Sequence, residues 1–292
     1  MNRIGIHALV WVGSWGPAEC ELAVARTREA GFDLIEFPVF DPLALDVPAI
    51  TRSLAAHDIG VTCSLGLSKD TDISSADPDV AARGERLLED VISVARDMGS
   101  GFVGGVIYSA LTKYLEMPTE RGRGHAISAL RRLAEKAAAS DITLGLEIVN
   151  RYETNVLNTA AQAVAFIDEI GASNVVVHLD TYHMNIEETD FRSPVMTAGG
   201  RLGYVHIGES FRGYLGTGTV DFQQLFGALA EVGYEGVITF ESFSSAVVDP
   251  GLSRTLGIWR DVWTDGMDLA REARRFIDEQ LALAATTNAV GT

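Results

Sequence analysis

The stretch VVVHLD, residues Val175–Asp180, is a nearly continuous run of apolar residues that ends in a carboxylate. A half-exposed strand alternates apolar and polar side chains, whereas a parallel strand covered by helices on both faces is apolar along its length. The run therefore predicts a buried strand of a parallel α/β sheet. In such folds the carboxyl end of a strand, here Asp180, is where functional sites are built.

Similar apolar runs recur at intervals of roughly 30 to 40 residues, each followed by a segment with helical periodicity. The predicted strands are Ile4–Trp11, Leu34–Val39, Val61–Leu67, Phe102–Tyr108, Thr143–Val149, Val175–Asp180, Tyr204–Glu209 and Val237–Phe243. The predicted helices are Ala18–Ala30, Pro48–His57, Asp79–Met98, Gly124–Ala139, Thr159–Ile170, and one that begins with an Asp221/Gln224 capping box and ends at Gly233.

This alternation predicts an eight-stranded (β/α)8 TIM barrel. An open doubly wound sheet is disfavoured because no glycine-rich nucleotide fingerprint follows the first strand. We expect one domain spanning residues 1–292, with a flexible tail from about residue 285.

The charge balance and the cysteine content limit the partners and the compartment. The 292 residues include 23 Lys plus Arg against 40 Asp plus Glu, and the net charge of −17 would repel nucleic acid. A small-molecule substrate is therefore expected. The two cysteines, Cys20 and Cys63, provide no disulfide framework, which favours a reducing cytoplasm. No apolar run reaches the roughly 18 residues of a membrane span, and no signal peptide is recognisable, so neither membrane insertion nor secretion is expected.

Polar side chains stand at the ends of the last four predicted strands: Glu147, Asp180, His206 and Glu241. We expect them to converge, because the carboxyl ends of barrel strands meet at one mouth. Any one of them could be an isolated residue held by a neighbouring loop, but three adjacent buried carboxylates are costly unless a cation neutralises them. The oxygen-rich, thiolate-free set suits Mn²⁺, Mg²⁺ or Co²⁺ better than it suits a structural zinc site.

Glu147 and Glu241 lie on strands five and eight, so their carboxylates would approach a bound ligand from nearly opposing sides. With a ketose held through its C2 carbonyl and C3 hydroxyl oxygens, a metal ion would acidify the C3 proton. One glutamate would remove that proton and the other would return it on the opposite face, which is a 3-epimerisation. A metal-dependent aldose–ketose isomerase or sugar dehydratase stays open. A catalytically silent sugar-binding barrel is disfavoured by the two opposed bases.

Loop residues above these strands are candidates for positioning the sugar, although each could be a solvated loop residue. The candidates are Glu153, His183 and Arg212. Asp180 and His183 also form a weak D-x-x-H metal pair, but the strand-end side chains already fill the protein side of the shell. His178, inside a strand, is predicted to be a hydrogen-bonded core histidine, and Glu36 a structural barrel residue.

Four segments carry a family resemblance: LEIVNRYETN at 146–155, HLDTYHMN at 178–185, VHIGES at 205–210 and FESF at 240–243. They are similar to the D-tagatose/D-allulose (D-psicose) 3-epimerase family, most of all to its D-allulose and L-ribulose branch. The resemblance implies a xylose-isomerase-like barrel with Mn²⁺ on the four strand-end residues, and with Glu147 and Glu241 as acid and base.

The resemblance also implies substrate contacts from Glu153, His183 and Arg212, and it adds His7, Trp15 and Gly66. Several relatives carry an aromatic residue where His7 stands, and His7 would offer the sugar a hydrogen bond instead. Family members are commonly homodimers or homotetramers, and one of these states is expected here.

Overall fold

The computed structural model describes residues 2–290, with side chains as far as residue 286. Eight parallel strands pair in chain order, and the first also pairs with the last, so the sheet closes into a barrel. The strands are β1 (Ile4–His7), β2 (Leu34–Pro38), β3 (Gly60–Leu67), β4 (Phe102–Ala110), β5 (Thr143–Glu147), β6 (Val175–Asp180), β7 (Leu202–Ile207) and β8 (Val237–Phe240). The predicted TIM barrel is confirmed.

Helices follow the strands and cover the outside of the barrel. They are α1 (Pro17–Glu29), α2 (Val47–His57), α3 (Pro78–Met98), α4 (Glu120–Ala138), α5 (Ala160–Ile170), α6 (Thr181–Glu187), α7 (Ser193–Ala198), α8 (Phe222–Glu231), α9 (Pro250–Leu256) and α10 (Gly266–Val290). Within residues 2–290, no helix combines the length and apolarity that crossing a membrane requires.

Only one of the two hydrogen bonds of the predicted Asp221/Gln224 capping box is present at the start of α8. The Asp221 carboxylate accepts a hydrogen bond from the backbone N–H of Gln224 at 3.0 Å, as an N-cap does. The Gln224 side chain does not return to Asp221. Its oxygen accepts from the backbone N–H of Phe191 instead, at 2.5 Å, and so ties α8 to the loop before α7. Gly233 has the left-handed φ of +67° expected just after a helix.

Several strands end earlier than their apolar runs suggest. The chain turns into a 3₁₀ segment, Ala8–Val10, directly after His7, so β1 does not reach Trp11. Strand β5 ends at Glu147 rather than Val149, β7 at Ile207 rather than Glu209, and β8 at Phe240 rather than Phe243. As a consequence, the polar residues of the predicted site lie at the strand ends, where the chain leaves the sheet.

Four helices were not predicted from the sequence: α6, α7, α9 and α10. Three of them are six or seven residues long, which is too short for a helical period to be recognised. The single domain over residues 1–292 stays a prediction. The predicted tail begins within α10, which continues to Val290, and residues 291–292 lie outside the described residues.

The strand register places the polar residues of β5 to β8 side by side. Glu147 pairs with His178 of β6, and Asp180 pairs with His206 of β7. His206 in turn pairs with Thr239, two residues before Glu241. Because all eight strands run in one direction, these residues share the carboxyl-terminal mouth of the barrel.

Candidate active site

The four strand-end side chains predicted as metal ligands meet at one point. Each offers a ligand atom, and these atoms lie within 4.8 Å of one another. His206 is central: its Nδ1 is 3.3 Å from Oε1 of Glu147, 3.6 Å from Oε1 of Glu241 and 3.8 Å from Oδ2 of Asp180. All four residues are buried. One imidazole nitrogen and three carboxylate oxygens therefore surround a small volume at the barrel mouth.

The buried carboxylates at this point differ in their pKa shifts. Burial raises the pKa of Glu241 to about 8, even though the nearby Arg212 and His206 act in the opposite direction. Burial also opposes the ionisation of Asp180, but the positive charges of Arg212 and His206 outweigh it and hold the pKa of Asp180 well below its usual range. An oxygen-rich, anionic donor set with one imidazole suits a divalent cation such as Mn²⁺, Mg²⁺ or Co²⁺. The side chains therefore fit the predicted ion.

Arg212 reaches this cluster from the loop after β7. Its Nη1 donates to Oε2 of Glu241 at 2.5 Å and to Oδ2 of Asp180 at 3.2 Å. The guanidinium lies over the rings of Tyr182 and Phe243, with centroid distances of 4.1 Å and 4.9 Å. The backbone of Arg212 is left-handed, with φ of +61°, which non-glycine residues rarely adopt. The Arg212 side chain, which was predicted to bind the sugar, thus contacts two of the predicted metal ligands.

Two histidines at the mouth have a defined donor nitrogen. Nδ1 of His7 accepts the backbone N–H of Leu9 at 3.2 Å, and Nδ1 of His183 accepts the backbone N–H of Asn150 at 3.1 Å. A neutral imidazole that accepts at Nδ1 carries its proton on Nε2. Burial lowers the pKa of His7 to about 4, so this ring is neutral near pH 7. Nε2 of each ring is therefore available as a hydrogen-bond donor for a bound molecule.

A cavity of about 70 Å³ opens beside the cluster, and most of the predicted sugar contacts line it. They are His7, Gly66, Glu153, His183 and Arg212. Trp15 is absent from this lining. It faces a neighbouring cavity of about 380 Å³, and the residues that line both cavities are Leu9, Phe40, Gly66, Leu111 and Leu252. The structure therefore brings together five of the six predicted contacts and places Trp15 one cavity away.

His178 corrects a prediction. It is fully buried in β6, as expected of a core residue, but neither ring nitrogen has a hydrogen-bond partner among the residues described. The ring packs edge-on against His206, with centroids 4.2 Å apart, and against Tyr204 at 4.8 Å. The predicted hydrogen bond was wrong, because the ring packs on aromatic neighbours and the carboxylate of its strand partner Glu147 makes no hydrogen bond to it.

A profile of the family described as xylose isomerase-like TIM barrel matches residues 24–280. A ketose 3-epimerase from Arthrobacter globiformis is 50% identical over 284 residues, which cover 97% of this chain and 98% of that protein. The chain belongs to the ketose 3-epimerase family. It is thus an enzyme of the isomerase class, as the sequence segments predicted.

Further relatives agree with this assignment. An L-ribulose 3-epimerase from Mesorhizobium japonicum is 50% identical, with 95% of this chain and 93% of that protein covered. The crystal structure of the D-allulose 3-epimerase from Methylomonas sp. in complex with D-allulose has a TM-score of 0.94 to this enzyme at 48% identity. The alignment covers 96% of this chain and 97% of that one.

Some residues that organise the enzyme's site were not predicted. Asn150 donates from Nδ2 to Nδ1 of His183 and to Oε1 of Glu153, both at 2.9 Å, and so links two predicted sugar contacts. The buried carboxylate of Glu209 accepts from the backbone N–H groups of Ser210, Gly216 and Val220, which folds the loop carrying Arg212. The segments at 146–155 and 205–210 contain both residues, but their hydrogen-bond partners depend on the loop conformation, which the sequence does not reveal.

Proposed function

We propose that the enzyme interconverts the C3 epimers of free keto sugars in a reaction that depends on a divalent metal ion. The pairs are D-fructose/D-allulose, L-ribulose/L-xylulose and D-tagatose/D-sorbose. The observation that carries the proposal is the pair of buried carboxylates, Glu147 and Glu241, which flank Nδ1 of His206 at 3.3 Å and 3.6 Å on the walls of one cavity. The names of the relatives support this choice of substrates.

The side chains proposed to hold the ion, Mn²⁺ with Mg²⁺ or Co²⁺ as alternatives, are Glu147, Asp180, His206 and Glu241. When bound, the ion would polarise the C2 carbonyl and lower the pKa of the C3 proton. One glutamate accepts the C3 proton, which leaves the sugar as an enediolate, and the other delivers a proton to the opposite face of C3. Two carboxylates on different sides of one carbon are what inversion requires, since a single base serves one face.

Other side chains orient the sugar between these two carboxylates. Nε2 of His7 and Nε2 of His183 donate to sugar oxygens from β1 and from the start of α6. Glu153 accepts sugar hydroxyls, and Arg212 supplies a positive charge beside the developing negative charge. We place Gly66 against the sugar and Trp15 at the adjoining cavity, where it would contact only the distal end. The homodimer or homotetramer expected from the resemblance stays a prediction.

The test is to incubate chelator-treated enzyme with D-fructose or L-ribulose in D₂O, with and without Mn²⁺, and to follow the products by NMR. We expect the C3 epimer to appear only with Mn²⁺ and to carry deuterium at C3. Deuterium at C1 or C2 together with an aldose product would instead identify an isomerase. Absence of exchange with every ketose would reject the proposal.

The variants Glu147→Gln and Glu241→Gln should each lower kcat by about 10² to 10⁴, because each removes one proton-transfer group. The matched control is Glu85→Gln, whose carboxylate pairs with Arg132 on the surface at 2.6 Å and should leave kcat unchanged. Each variant retains one base, so it should still exchange the C3 proton of one epimer with solvent. Full turnover in either variant would remove that residue from the mechanism.

A further inference from the structure

Glu36 lies beneath the cluster, on β2, and contacts none of the three carboxylates described above. We infer that Glu36 is a positioning residue, which orients His206 for metal binding and thereby sets the affinity for the ion. The inference rests on the metal centre proposed above. It assigns a function to a residue that the sequence pattern marks only as part of the barrel interior.

The contact between Glu36 and His206 crosses the barrel from β2 to β7. Oε2 of Glu36 lies 2.8 Å from Nε2 of His206, and both side chains are only 1% exposed. An ionised carboxylate can only accept a hydrogen bond, so Nε2 of His206 must be the donor. Nδ1 of the same ring then faces the three carboxylates, 3.3 Å from Oε1 of Glu147, and it is the nitrogen whose lone pair can bind a cation once its proton has left. The direction of one hydrogen bond thus selects the nitrogen that binds.

The surroundings of Glu36 hold its carboxylate in one orientation. The Tyr204 hydroxyl also donates to Oε2, at 2.8 Å, and it lies 2.8 Å from Oγ1 of Thr62 and 2.7 Å from Oγ1 of Thr239. This network leaves the other oxygen, Oε1, without a hydrogen-bond partner in the part of the chain that the structure describes. Nε2 of His7 lies 3.8 Å from this oxygen, beyond hydrogen-bonding distance.

A buried carboxylate with one unpartnered oxygen lowers the stability of the fold, because burying a charge is unfavourable unless hydrogen bonds and opposite charges compensate it fully. An apolar side chain would fill the same space at lower cost. The arrangement is explained if Glu36 serves His206. Histidines that bind metal ions commonly donate their second N–H to a carboxylate, and loss of that partner typically weakens metal binding 10–100-fold.

The test is the Mn²⁺ affinity of metal-stripped enzyme, measured from the EPR signal of free Mn²⁺ during titration. The isosteric variant Glu36→Gln should raise the Kd about 10–100-fold while circular dichroism shows a retained fold. The matched control is Thr62→Val, which removes a hydroxyl that is bonded to Tyr204 in the same buried network and not to Glu36 or His206, and its Kd should be unchanged. The variant Glu36→Asp, which shortens the side chain, should give an intermediate Kd.

A second readout follows the imidazole directly. In Mg²⁺-loaded enzyme with ¹⁵N-labelled histidine, NMR should show the His206 proton on Nε2, and this signature should change in Glu36→Gln but not in Thr62→Val. A folded Glu36→Gln variant with the wild-type Kd and ¹⁵N spectrum would overturn the inference, as would failure of both Glu36 variants to fold. Wild-type enzyme that binds no Mn²⁺ would instead reject the proposed metal centre itself.

Discussion

Replacing Ser242 with alanine tests how Arg212 is held over the cluster. Ser242 directly follows Glu241 and is fully buried. Its hydroxyl donates to the backbone carbonyl of Arg212 at 2.5 Å and accepts from Nε1 of Trp263 at 2.7 Å. The left-handed backbone of Arg212 costs about 1–2 kcal/mol for a residue with a side chain, and these two hydrogen bonds help to offset that cost.

In Ser242→Ala, the Arg212 carbonyl and the Trp263 indole N–H both lose their partner. Each unsatisfied buried group costs about 1–3 kcal/mol, and partial relaxation of the loop keeps the total at roughly 2–4 kcal/mol. For a protein of this size that corresponds to a fall in Tm of about 3–7 °C. The released Arg212 should also raise the KM for a ketose roughly tenfold, the equivalent of about 1.4 kcal/mol of lost contact.

The assay combines differential scanning calorimetry with steady-state kinetics on the Mn²⁺-loaded enzyme. The control is Ser245→Ala, because the Ser245 hydroxyl pairs with Asp261 at the exposed surface, at 2.7 Å. This control should change the free energy of unfolding by no more than about 0.5 kcal/mol. If Ser242→Ala keeps both the wild-type Tm and the wild-type KM, Ser242 does not hold Arg212 in place.

The remaining predictions concern the barrel wall and the thiols. Gly105 has a φ of +104°, and an added Cβ would lie 2.1 Å from the carbonyl oxygen of Leu65. Gly105→Ala should therefore destabilise the fold by about 3 kcal/mol or more, seen as loss of soluble protein or a lower denaturation midpoint, whereas Gly227→Ala, with open space around it in α8, should be neutral or stabilising by about 0.5–1 kcal/mol. Equal stability of the two variants would contradict this. Burial raises the pKa of the thiol to about 11 in Cys20 and to about 12 in Cys63, so the reactive thiolate is scarce until the pH approaches those values. A disulfide reagent at pH 8 should leave both thiols unmodified in the native enzyme and modify both after denaturation. Rapid native labelling would show that one of them is accessible.

The barrel could be predicted because its signals are local in the sequence. Apolar runs such as Val175–Asp180 follow from the burial of a parallel strand on both faces, and their spacing leaves room for one helix between strands. The convergence of Glu147, Asp180, His206 and Glu241 could be predicted for the same reason, since parallel strands in a closed barrel bring their carboxyl ends to one mouth. The short helices could not be predicted, because fewer than two helical turns are too short to show a period.

What only the tertiary structure decided is which side chains touch across the barrel. The contact between Glu36 and His206 joins residues 170 positions apart, and no periodicity in the sequence relates the two. The left-handed backbone that turns Arg212 toward Glu241, and the displacement of Trp15 to a neighbouring cavity, likewise depend on how loops pack at the mouth. Strand formation follows from local apolarity, whereas hydrogen-bond partners depend on register, side-chain rotamers and loop conformation, which become defined only when the whole barrel is closed.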